Sequence, residues 1–185
     1  MIATNIESRS PSAGVNRFGE IFSHYRTELQ WLAAFVTANE TVAEACVIDA
    51  CGLAESQQEP GNLLVQWQRR ATVRAAIEIQ RVRIAQLSST YNRQLCRHHS
   101  HAPLSQEAVD LVIDEGSRVM NALDALCRCV LVICGIEKRS IAEAASLLRV
   151  SNKIARAAYC SALEYLDVIR CERFREEHEC AAVSN

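Results

Sequence analysis

The chain has 185 residues, 49% hydrophobic and 23% charged, with a formal net charge of −2, the make-up of a globular protein of one or two domains. Six glycines, three prolines and 5% aromatics argue against an all-β fold and favour an all-α one. No run of eighteen apolar residues and no apolar N-terminal segment behind basic residues occurs, so neither a membrane span nor a secretory signal is expected, and a cytoplasmic location follows. Nine irregularly spaced cysteines in that setting read as reduced thiols and small core residues.

The N-terminal segment, residues 1–16, is small and polar and is expected to be disordered. A first helix is predicted from about Arg17, with Phe18, Ile21, Phe22, Tyr25, Leu29, Leu32 and Val36 at helical spacing as a core stripe. After a turn over residues 37–40, Thr41 is placed to cap a second helix, with Glu44 as its capping-box partner. That helix reads EACVIDACGLA over residues 44–54. Residues 57–62, with Pro60 and Gly61, form a turn. A long helix is then predicted over about 63–96, with a possible break at Ser88 and Ser89. Val73, Ile77, Ile84 and Leu87 share one face of it, and Arg70, Arg74 and Arg81 line the flank.

Residues 97–106 read as a polar linker. Its His98, His99 and His101 beside Cys96 invite a metal site, yet adjacent histidines do not readily converge on one tetrahedral ion, and no metal is expected. Cys127 and Cys134, seven apart on the next helix, share a face and read as core. The most informative stretch follows. Ile141, Ala144, Ala145 and Leu148 make a short amphipathic helix, with Ser140 and Glu143 at capping-box spacing. Residues 149–151 interrupt the period, and Ser151 is placed to cap a second helix running to about Ile169. Two helices joined by three or four residues have the spacing of a helix-turn-helix, whose second helix enters the major groove of DNA. At about 100° per residue, Ile154, Ala158, Ser161, Tyr165 and Ile169 face the first helix, whereas Lys153, Arg156, Cys160, Glu164 and Asp167 face outward. The same pattern also suits a buried helical hairpin with a solvated outer face.

Charge is strongly segregated. Residues 1–65 carry a balance of −5, residues 66–97 of +6, residues 98–137 of −4, residues 138–170 of +3 and the tail 171–185 of −2. Two basic segments in an acidic chain suit contact with nucleic acid at two places, or else two solvated helix faces.

Three stretches together carry a family resemblance: FGEIF over residues 18–22, with Tyr25, Arg26, Leu29 and VAEA over residues 42–45; LDAL over residues 123–126 with VLVI over residues 130–133; and SIAEAASLLRVS over residues 140–151 with the closing ALEYL. They resemble regions 2 and 4 of bacterial sigma factors of the small, extracytoplasmic-function type, over most of residues 17–170. The resemblance implies a region-2-like module over 17–96, the linker 97–106, a region-4-like module over 107–170 and a charged tail, 171–185. It implies a transcription initiation factor with core RNA polymerase and promoter DNA as partners, an anti-sigma factor as a further one, and no small-molecule cofactor. By resemblance, Trp67, Arg69, Arg70, Arg74 and Arg81 engage the opened promoter strand, and Glu44 and Asp49 contact polymerase. Arg149, Ser151, Asn152, Lys153, Arg156 and Cys160 contact duplex DNA.

This chain departs from the family by placing Ala45, Ile48 and Cys51 where an acid, a glutamine and a phenylalanine are preferred, and Arg149 where the turn usually has glycine. A diverged sigma-like regulator that binds DNA or protein without directing initiation is the alternative, and a redox or metal sensor on the same fold a third. No nucleophile triad, phosphate-cradling glycine loop or paired carboxylates stand out, so an enzyme is not expected.

Overall fold

The computed structural model of the chain describes residues 12–55, 61–92 and 104–183, with side-chain environments over 25–51, 65–92 and 104–175. Among the described residues every regular element is helical, so the fold is all-α. Three long helices come first: α1 (Ser12–Thr37), α2 (Glu40–Glu55) and α3 (Gly61–Tyr91). Leu29, Leu32 and Val36 of the predicted α1 stripe are buried, while Phe18, Ile21 and Phe22 fall outside the described side chains. The helix starts upstream of the expected boundary, and residues 12–16 continue it, because each residue added to an existing helix gains one hydrogen bond.

Ala38 is left-handed at φ 52°, which ends α1 and brings Asn39 into the capping position of α2. The Asn39 side chain accepts from the Val42 amide at 2.9 Å, so Asn39, not Thr41, is the cap. The α3 helix runs unbroken through Ser88 and Ser89, whose hydroxyls donate back to carbonyls of their own helix, to Ile84 at 2.8 Å and to Gln86 at 3.1 Å.

The second half holds α4 (Gln106–Asp114), α5 (Gly116–Ala122), α6 (Ala125–Val130), which continues as a π-helical turn (Leu131–Ile136), α7 (Ile141–Leu148) and α8 (Asn152–Val183). Side chains of Ser105, Asp124 and Ser140 cap α4, α6 and α7. Where a charged tail was expected from residue 171, α8 continues. No helix breaker stands in its way, and Glu172 and Arg173 pair with Arg118 of α5 and Asp114 of α4. The histidines of the expected linker lie outside the described residues. Its end is docked: Leu104 is buried, and its carbonyl accepts from Lys138 Nζ at 2.7 Å. Gly135 makes room for it, because a Cβ there would stand 2.7 Å from Leu104 Cδ1.

Residues 125–135 are buried on every side, as a helix apolar all round must be, and α6 packs on α8, α3 and α1. One buried cluster therefore runs from Leu29 to Ile169 through both halves. Arg128 of α6 is 5% exposed, and its guanidinium donates to the carbonyls of Val36 (3.4 Å), Met120 (2.9 Å) and Leu123. These carbonyls lie at the ends of α1 and α5, where helices leave acceptors unused and favour a cation. Burial lowers the Arg128 pKa from its usual value. At the end of α3 the Tyr91 hydroxyl donates to Asp124 at 2.6 Å and lies 2.9 Å from Cys127 Sγ, and the Cys127 thiol donates to the Ala158 carbonyl of α8 at 3.2 Å. Helices α1 and α3 are thus tied by buried and part-buried polar bonds to the helices that follow.

Candidate nucleic-acid interface

The helix pair α7–α8 is built from its caps outward. Ser140 Oγ accepts from the Glu143 amide at 3.2 Å and Glu143 Oε2 accepts from the Ser140 amide at 3.0 Å, the reciprocal capping box that the spacing predicts. These bonds to Ser140, with Arg139 beside it, hold the Glu143 carboxyl below its usual pKa. Arg149 ends α7 in the left-handed conformation, φ 56° and ψ 43°, the strained option for a non-glycine residue. Ser151 Oγ then accepts from the Ile154 amide at 3.3 Å and starts α8.

Ser151, Asn152, Lys153 and Arg156 are exposed around that start. Arg156 makes no hydrogen bond or ion pair among the described residues, whereas Lys153 Nζ donates to the Asn92 carbonyl, just past the end of α3, at 2.7 Å. The expected outward position of Cys160 is corrected: it is 2% exposed and disulfide-bonded, which also overturns the expectation that every cysteine is a reduced thiol. The angular projection fails there because α7, α6 and α3 all touch α8, so the buried stripe is wide, taking in Ala155, Ala157, Tyr159, Cys160 and Ala162. The disulfide is a pairing made in space that linear spacing does not display.

The basic edge of α3 is only partly available. Arg69 bridges two carboxylates, Glu28 of α1 at 2.5 Å and Glu137 beyond the π-helical turn at 2.9 Å. Arg81 pairs with Glu78 and donates to the Leu147 carbonyl of α7 at 2.9 Å. The Glu78 carboxyl is held below its usual pKa first by that Arg81 contact and further by Arg149 and Arg74. Arg149 thus lines a small pocket with Glu78 of α3 as well as standing in the turn. Trp67 is half-buried. Arg70 and Arg74 are exposed, with no hydrogen bond or ion pair among the described residues.

On α2, Asp49 is exposed and Glu44 pairs with Arg26 of α1 at 3.1 Å, while Ile48 between them is 60% exposed. Cys46, Cys127, Cys129 and Cys134 are free and buried as expected, and burial pushes their thiols up, to about 11 for Cys46 and about 12 for the other three. Such thiols are inert as nucleophiles at neutral pH. Among the described residues no group of three or more His, Cys, Asp or Glu converges as a metal site requires, and no helix is long and apolar enough to cross a membrane. Comparison with protein families, curated proteins and solved structures found no match.

Sequence reasoning missed Arg128, Asn92 and Tyr91, which join the two halves alongside Arg69 and Arg81. A basic residue inside the apolar run 125–135 was the available signal for the first, since an arginine there has to find internal acceptors.

Proposed function

We propose that this chain is a sigma-type transcription initiation factor that binds core RNA polymerase and reads promoter DNA through α7 and α8 as a helix-turn-helix. The carrying observation is the start of α8: a capped helix, a three-residue turn and a second helix whose first turns expose Asn152, Lys153 and Arg156, the last unpaired among the described residues. A helix N-terminus also presents backbone amides and a positive dipole end to phosphate. In this reading Arg156 reaches a guanine edge, Lys153 leaves the Asn92 carbonyl for a phosphate, and Ser151 and Asn152 hold the register. Trp67, Arg70 and Arg74 engage the opened strand by stacking and phosphate contacts. Glu44 and Asp49 face polymerase.

The internal bonds of Lys153, Arg69 and Arg81 favour a second reading, a sigma-like regulator that binds DNA or protein without directing initiation. Run-off transcription with purified core polymerase and the full chain separates the two. Under the first reading, Arg156→Ala weakens promoter binding by about 1–3 kcal/mol and relaxes preference at one base pair, while Lys153→Ala weakens all sequences alike and flattens the salt slope by about one unit. Equal DNA occupancy and equal transcription by wild type and the double mutant, with folding intact, would move the function to protein interaction.

A further inference from the structure

A cavity of about 610 Å³ lies between α3 and the second half, walled by α3 on one side and by the π-helical turn, residues 137–139 and α7 on the other. That volume is in the range of small-molecule sites. Val73, Ile77, Ile133 and Leu147 make its lining largely aliphatic, and Trp67 adds an aromatic face. Its two carboxylates are already neutralised: Glu137 by Arg69, and Glu78 by Arg81. A third lining cation, Arg139, is paired with Glu143 at 3.0 Å. Arg70 and Arg74 remain without a hydrogen bond or ion pair among the described residues, Arg74 being drawn only at longer range to Glu78; exposed and one helical turn apart, they are like charges that repel each other until an anion sits between them.

We propose that this cavity is a ligand site for a small amphipathic anion, its apolar body against the aliphatic wall and Trp67, and its single phosphate or carboxylate head between Arg70 and Arg74. The aliphatic lining supplies affinity through the area it removes from water. The arginines supply orientation, since guanidinium groups take phosphate or carboxylate by paired hydrogen bonds. Because both halves wall the site, its occupant also holds them together. The site does not rest on groove reading by α8, which is tested at Arg156, outside the cavity; Trp67, Arg70 and Arg74 are shared with the proposed strand contact, so the ligand is titrated in the absence of DNA.

Trp31→Phe leaves Trp67 as the single tryptophan and hence a fluorescent reporter in the cavity. In the full chain without DNA, titration with dodecyl phosphate or laurate below their micelle concentrations gives a saturable change, and whichever amphiphile binds more tightly identifies the head group. Dodecanol and inorganic phosphate bind at least about tenfold more weakly, as does dodecyl phosphate or laurate to Arg70→Gln/Arg74→Gln, through loss of the charge-assisted bonds. Ala75→Leu, which adds volume to the lining, weakens the amphiphile as well; the exposed arginine pair keeps the test readable if that variant does not fold. The proposal is overturned if neither amphiphile saturates, if dodecanol or phosphate alone binds as tightly, or if the arginine pair can be removed without loss.

Discussion

The basic edge of α3 and the basic start of α8 look alike in sequence, yet they use their charge differently. On α3, Arg69 is paired with carboxylates of other elements, and Arg81 with Glu78 and a carbonyl of α7, while Arg70 and Arg74 make no hydrogen bond or ion pair among the described residues. On α8, Arg156 has no hydrogen-bond or ion-pair partner among the described residues, and Lys153 is held by one neutral carbonyl. A run of arginines is thus no measure of available charge; what counts is the number left after internal pairing. The α3 edge is as much a fastening between the halves as an exposed surface, while the α8 start is mainly surface.

The sharpest way to break this contrast is to remove a fastening and read stability. Arg69→Ala strips Glu137, only 12% exposed, of its partner and frees Glu28, and should lower unfolding free energy in urea by about 2 kcal/mol. A double-mutant cycle with Glu137→Gln should show coupling between the two; additive effects would mean that Arg69 is merely solvated. Arg81→Ala loses the bond to the Leu147 carbonyl at the end of α7 and should cost about 1 kcal/mol. Its partner Glu78 is half exposed, so the ion pair adds little. The smallest effect runs the other way. Arg149→Gly relieves a left-handed arginine and should raise stability by about 0.5 kcal/mol, the relief being partly offset by the greater entropy of glycine in the unfolded chain. A loss there would show that the attraction of Arg149 for Glu78 outweighs the backbone strain.

Those magnitudes set the α3 edge and the Arg149 turn apart from Arg156. Its substitution should leave the urea midpoint unchanged while altering DNA binding, because it is exposed and makes no hydrogen bond or ion pair among the described residues.

Much of the local structure was legible in the sequence. Helical periodicity, the Ser140–Glu143 capping box, the Ser151 cap and the burial of Leu29, Leu32, Ile77 and Ile84 all depend on neighbours within a few residues, and the chain states those directly. Other features depend on what lies across from a residue. The placement of Cys160 inside, the burial of Arg128 over the ends of α1 and α5, the docking of Leu104 against Gly135 and the division of the arginines into tied and free were decided by tertiary packing. The physical reason is the same in each case. A helix shows its own faces in its sequence, but not how many neighbours will cover them, and α6 and α8 are covered from more sides than a two-helix hairpin provides.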